Sequence, residues 1–301
     1  GDPQSDTRFL QPFVASLATD GDRIYAAARR YERRPDCDPE RHFESVVYAF
    51  EPDGTPAWRY RTDASPISLS VRDDRLAVAY NRCLGAHQHG LVVLDTANGT
   101  PRWMWDPGTE GQRRVGDVAL LGDGVVLTCH GDYCGYRLDS GGRERWRVPL
   151  ATPRAVDGET VYAYPNHVVA ADGTAVFVTG NTYAASTRDP DARHPREHTA
   201  VAVDGGDVAW THDVGGFARG VAANGSFVAV PSAQHFRERS ADTHAVHLLD
   251  ATRGHLDSRS LPGVAAAVAL GDDALAVVEE PVEYHDEGIT RGAHRLHAWQ
   301  G

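Results

Sequence analysis

The feature that most limits how this chain can fold is a repeat of roughly fifty residues. A short apolar segment, an Asp/Asn/Gly turn and a second apolar segment occur together at 16–25, 69–78, 118–127, 168–177, 221–230 and 268–277. The turns sit near Asp20, Asp73, Asp123, Asp172, Asn224 and Asp272, in steps of 53, 50, 49, 52 and 48 residues. Each repeat also carries a second hairpin pattern, an apolar strand, a tight turn and a strand holding a tryptophan. It runs 47–58, 91–103, 135–146 and 200–210, ending on Trp58, Trp103, Trp146 and Trp210, with a weaker copy at 246–256 that has Leu256 in place of the Trp. Asn-Gly and Asp-Gly pairs supply the positive φ angles that two-residue hairpin turns need.

Two hairpins make four antiparallel strands, the unit of a propeller blade. The expectation is an all-β, six-bladed β-propeller of four-stranded antiparallel blades, one domain over residues 1–301. Radial repetition lets 301 residues fold without one oversized core. The last repeat offers only three strands and leaves an open edge. Residues 1–11 are expected to close the ring by pairing there. The alternative is donation of that strand to a neighbouring molecule, giving a swapped oligomer or filament. Residues 151–166 read as an insertion between the third and fourth blades, with a degenerate seventh blade as the alternative.

The pattern of apolar strand, Leu-Asp-x-x-x-Gly and Trp, as in Leu94-Asp95 to Gly99 and Trp103, resembles the pyrroloquinoline-quinone-like repeat of quinoprotein-like propellers. That superfamily contains quinone-dependent alcohol dehydrogenases and a propeller lipoprotein that helps insert outer-membrane barrels. The resemblance implies the fold, not the activity. In the dehydrogenases the quinone stacks on a Trp and a disulfide of adjacent cysteines, beside a Ca²⁺ and a catalytic Asp, in an eight-repeat ring. Here no two cysteines are adjacent and there are six repeats, so no catalytic residue and no cofactor site carries over. The repeated tryptophans read instead as packing between blades.

Composition narrows the functional classes. The formal charge is −12, and all 30 basic residues are Arg. A Lys-free, Asp- and Arg-rich chain has the style of salt-loving haloarchaea, in which excess carboxylates keep the surface hydrated. A net negative chain without a basic run is a poor nucleic-acid ligand. No apolar run approaches the length of a membrane span, so no membrane insertion is expected. The start Gly1-Asp2-Pro3 reads as a mature chain after removal of a signal peptide, which places the protein outside the cell or on its surface.

Loops between the second and third strands of each blade hold His42, His87, His89, His130, His194, His198, His235, His244, His285 and His294, ten of the 15 histidines. The tightest spacings, His87-Gln-His89 and His194-x-x-x-His198, are the candidate ligands of a divalent metal, Zn²⁺ or Ca²⁺. The competing reading is that long polar loops simply collect histidine. Four cysteines suggest two disulfides, Cys37–Cys83 across a blade boundary and Cys129–Cys134 across one hairpin, against the alternative of buried thiols. Asn98-Gly-Thr100 and Asn224-Gly-Ser226 are N-glycosylation sequons, though Asn-Gly is also good turn chemistry. Together these features predict a non-catalytic extracellular propeller that binds a protein partner, or organises an assembly, through its His-rich loops. The alternatives are a metal-dependent enzyme or metal carrier on the same loops, and a surface-layer or filament subunit.

Overall fold

The structure is a computed structural model that describes residues 13–33, 36, 41–185, 192–284 and 288–300. Each sequence repeat folds into one antiparallel sheet. The first is β1 (Phe13–Thr19), β2 (Ile24–Arg33), β3 (Arg41–Phe50) and β4 (Pro56–Thr62). The second is β5 (Ala64–Arg72), β6 (Arg75–Cys83), β7 (Leu91–Asp95) and β8 (Pro101–Trp105). The third is β9 (Val115–Leu121), β10 (Gly124–Cys129), β11 (Cys134–Leu138) and β12 (Glu144–Pro149). The fourth has five strands, β13 (Arg154–Val156), β14 (Glu159–Ala171), β15 (Thr174–Ala184), β16 (Thr199–Asp204) and β17 (Asp207–Asp213). The fifth is β18 (Ala222–Asn224), β19 (Phe227–Ser232), β20 (Ala245–Asp250) and β21 (Gly254–Ser260). The sixth holds β22 (Val264–Leu270), β23 (Ala274–Glu280) and, after a ribbon of β24 (Val282–Glu283) and β25 (Thr290–Arg291), β26 (Arg295–Gln300). Within every sheet the strands follow one another in chain order, each paired to the next, the meander of propeller blades. The expected closing strand, residues 1–11, lies outside the described residues.

The chain divides into two compact units, residues 1–132 with 136–145, and residues 133–135 with 146–301. In the first, Tyr25, Val47 and Ala49 pack against Leu76, Val78, Val92 and Leu94 of the next sheet. In the second, Val176, Val178 and Ala202 pack against Val228, Val230 and Leu249, and a further cluster joins Ala229 and Val246 to Ala265, Leu275 and Val277. The core therefore lies between successive sheets. This explains the strand patterns. Middle strands are apolar on both faces: every residue of β10 is buried. Outer strands alternate, because only one face meets a neighbour.

The tryptophans seat on that inward face, as their sequence position implied. Trp58 lies against Gly99, Trp103 against Gly142, Trp146 against Gly206 and Trp210 against Gly254, always the turn glycine of the following sheet. Trp58 Nε1 donates to the Thr96 carbonyl at 2.8 Å, and Trp210 Nε1 to Ala251 at 2.9 Å. Gly99 must be glycine for two reasons. Its φ is +72°, and a Cβ there would stand 2.5 Å from the Trp58 ring. The Leu-Asp-x-x-x-Gly…Trp signature is thus a docking device: the glycine of one blade receives the indole of the one before.

Residues 151–166, read from the sequence as an insertion, lie on the fourth sheet. They supply β13 and the first half of β14, which runs on into the innermost strand of the fourth sheet. Asp157 (φ +47°) and Gly158 (φ +86°) make the β13–β14 turn. Register shifts at Ala163/Pro165 and Pro165/His167 let Pro165 sit inside the strand. The result is a β14–β15 ribbon extending beyond the sheet at its loop end.

Candidate functional site

In the first unit the loop after β6 is locked by a single carboxylate. Asp63 accepts from the backbone N–H groups of Ala86 (2.6 Å) and His87 (2.9 Å), and Gly85 sits where a Cβ would strike it. Burial raises the Asp63 pKa, but these two donors outweigh it and leave the group below the usual carboxylate range. His87 uses Nε2 on the carbonyl of His89 (2.9 Å) and packs on Tyr80. The two rings meet edge to face, 5.7 Å apart, and no third ligand joins them among the described residues. His130 is buried and bonds Asn81 at 2.9 Å. These loop histidines tie segments together.

The cysteine expectations divide. Cys37 lies outside the described residues. Cys83 is buried, offers its thiol to the His89 carbonyl, and is pushed up to about 12 by burial, so it stays protonated. The bridge expected between Cys129 and Cys134 is not formed. Both residues are buried, and burial, with Asp132 nearby, raises the Cys129 thiol far above its ordinary value. Of the two sequons, Asn98 is exposed in its turn and its side-chain oxygen accepts from Thr100, whereas Asn224 gives its amide to Asp272 at 2.9 Å.

In the second unit His194 and His198 do not act as a pair. His194 accepts at Nδ1 from the Arg196 N–H and uses Nε2 on the Thr152 carbonyl, so both nitrogens are committed. His244 is likewise spent on Tyr284 and Pro262. His198 instead meets His235 and Glu197. Its Nε2 bonds Asn181 Oδ1 at 2.7 Å, and its buried Nδ1 has no hydrogen-bond partner. The His198 and His235 rings stand at right angles, 4.8 Å apart, with Glu197 Oε2 3.9 Å from His235 Nε2. Arg193 and Arg237 flank the same carboxylate at 3.9 and 3.8 Å.

Two imidazoles and a carboxylate could in principle hold a metal ion, but the proton positions do not fit here. His235 Nδ1 accepts from the backbone N–H groups of Arg237 (3.3 Å) and Glu238 (3.2 Å). The ring proton therefore sits on Nε2, the only nitrogen facing Glu197, and cannot move to Nδ1 without opposing two donors. Two guanidinium groups already compensate the carboxylate. The cluster is a charge network, buried at its histidines and exposed at Arg193, that braces the loops after β15 and β19. Burial, then His235, Arg193 and Arg237, hold His198 down at about 3, a neutral ring at neutral pH.

Beside this network stands a feature that the sequence patterns did not reveal. Tyr162 and Tyr164 on β14, Tyr183 on β15 and Tyr133 before β11 form one aromatic cluster, with ring centroids 5.2–5.8 Å apart. Tyr133 adopts φ +64°, rare for a bulky residue, while its carbonyl is held by the Leu150 and Ala151 N–H groups. Tyr183 is 39% exposed and the other three are half-buried. Thr182, next to Tyr183, receives Arg237 on its carbonyl and gives its N–H to Glu197, so the charge network holds the platform rigid. The signal is present as the alternation Tyr162-Ala-Tyr164, hidden because the segment reads as an insertion.

The sheets, their meander order and the Trp-on-Gly docking define a β-propeller. Residues 12–255 match the family model described as outer membrane protein assembly factor BamB, and the chain belongs to that pyrroloquinoline-quinone-like family. No match is found among curated proteins. Among solved structures, the β-propeller domain of the trilobed protease from Pyrococcus furiosus, described as having an open velcro topology, is 9% identical, with 97% of this chain and 82% of that one covered and a TM-score of 0.50. Sqt1 from Saccharomyces cerevisiae is 8% identical, covering 93% and 85%, with a TM-score of 0.51. BamB from Moraxella catarrhalis is 15% identical, covering 95% and 84%, with a TM-score of 0.43. At such identities these likenesses concern the fold alone.

Proposed function

We propose that this protein is a non-catalytic binding or assembly scaffold, exported to the cell surface or beyond, that holds a protein partner on the His-rich loops of its second unit. The observation that carries the reading is the tyrosine platform. Tyrosine offers a large, stiff, amphipathic surface at small entropic cost and is enriched in binding hot spots. Four such rings, three on a braced ribbon and one packed against it, are preorganised for contact. Phe236, on the loop after β19, is 50% exposed. The description of the family, an assembly factor, supports the same reading. The Lys-free, acidic composition supports a salt-loving source, and the exposed Asn98 sequon supports export and glycosylation there.

The test is the size of the native particle. The protein carrying Tyr162→Ala and Tyr183→Ala, expressed in its own host in place of the wild type, is expected to elute as a free chain under conditions in which the wild type elutes in a larger complex. A wild type that elutes alone, or a variant complex of undiminished size and yield, contradicts the proposal.

A further inference from the structure

A second histidine cluster lies away from the loops, on the flank where the fourth and fifth sheets pack. We propose that His212, His247 and His255 form a binding site for a transition-metal ion of the zinc class.

The repeat itself marks the place as exceptional. Two residues after each docking tryptophan, the outer strand again faces the next sheet. There the earlier repeats carry Tyr60, Trp105 and Val148, and β17 carries His212. The facing position, three residues before the strand-ending Asp, holds Val92, Tyr136 and Val201 in other sheets and His247 in the fifth. In the second and third sheets the pair is Trp105 on Tyr136, with centroids 5.0 Å apart; here it is His212 on His247 at 5.1 Å. An apolar contact has been replaced by two imidazoles, which lowers the packing contribution of the site.

The third ring arrives by a β-bulge. Leu248 pairs with Asp257, but Leu249 pairs with His255, so Leu256 is the extra residue. Strict alternation would have placed Leu256 on the inward face. The bulge turns His255 there instead, stacked on His212 at 4.4 Å.

The nitrogens converge. His212 Nε2 and His247 Nδ1 are 3.2 Å apart, close to the roughly 3.4 Å between ligands of a tetrahedral ion with nitrogen ligands at about 2.0–2.1 Å. Ser258 Oγ lies 3.0 Å from His247 Nδ1 and 2.7 Å from His255 Nε2, and one ligand nitrogen from each ring falls within 4.8 Å of the others. The tautomers fit, unlike those of the loop cluster. The Val214 backbone supports His247, as outer partners support ligating histidines. Among the described residues, neither His212 nor His255 makes a hydrogen bond through its second ring nitrogen, so each can carry its proton there. The neighbouring Arg259 is paired to Asp257 at 2.8 Å. Three imidazole ligands with no carboxylate suit Zn²⁺, Cu²⁺, Ni²⁺ or Co²⁺ and not Ca²⁺ or Mg²⁺. His255 is exposed, which gives the ion an entry path and leaves a fourth position for water.

The site is independent of the loop-face reading. The test titrates Co²⁺ and then Zn²⁺ into the full chain treated with chelator, following the visible Co²⁺ spectrum and Zn²⁺ competition with a chromophoric chelator. One Co²⁺ per chain with an intense tetrahedral band is expected, displaced by Zn²⁺. His255→Ala, on an exposed edge and so without risk to folding, should weaken Zn²⁺ binding by more than about tenfold. His198→Asn should leave it unchanged, and Zn²⁺ should raise the melting temperature of the wild type but not of His255→Ala. Absence of the band, equal affinity in His255→Ala, or loss in His198→Asn would overturn the assignment.

Discussion

An indole resting on a glycine is the smallest unit of this architecture, and it separates two kinds of turn glycine. Gly54 has φ +84° with nothing within 4 Å of where a Cβ would stand, whereas Gly99 has φ +72° and the Trp58 ring at 2.5 Å. Gly54→Ala should therefore cost only the backbone strain of positive φ, about 1 kcal/mol. Gly99→Ala adds displacement of the ring and should cost about 2–4 kcal/mol. Urea midpoints of the two variants check the difference. His198 gives a second residue-scale prediction. Its ordinary value is 6.5 and its folded value about 3. Between those limits the unfolded chain binds a proton that the folded chain refuses. The contribution is thus complete above pH 6.5 and is lost as pH falls toward 3, with a slope approaching about 1.4 kcal/mol per pH unit. His198→Asn, which keeps a residue tolerant of φ +47°, should flatten the acid side of the stability curve by that one group. An unchanged curve would show that the ring is already protonated in the fold.

At the scale of the elements, sequence and structure agree wherever the signal is periodic. Every apolar–turn–apolar segment forms a hairpin, and each tryptophan meets the next sheet. Two places differ, and both lie at bulges, although bulges also occur in the tryptophan hairpins that agree. Pro165 and Asn166 look like the end of a segment, yet two register shifts carry β14 through them. Leu256 looks like a weak tryptophan, yet its bulge is what turns His255 inward. The loop histidines fail for another reason: their spacing does not report what their ring nitrogens bond, which is the His89 carbonyl for His87 and the Thr152 carbonyl and Arg196 N–H for His194. Burial also orders the strands by expected mobility. Amide exchange followed by mass spectrometry should be slowest in β6, β10 and β15, packed on both faces, and faster in β4, β8 and β17, whose outward faces are exposed. Protection of β17 equal to that of β15 would contradict this packing order.

For the whole molecule, the repeat supplies rigidity and the exceptions to the repeat supply candidate function. The lengthened β14–β15 ribbon bears three of the four tyrosines, and the charge network of Glu197, His198, His235, Arg193 and Arg237 holds the loops beside them. Neither feature belongs to the fold signature, which is why the family pattern is legible from sequence and the platform is not. The most direct measurement is site-specific photocrosslinking in the native host, with a photoreactive phenylalanine at Tyr183 and, for comparison, at Phe227, the exposed first residue of β19. A discrete crosslinked partner at Tyr183, absent at Phe227 and lost when Tyr162→Ala is added, is the result this account predicts. No adduct at Tyr183, or the same adducts at both positions, would contradict it.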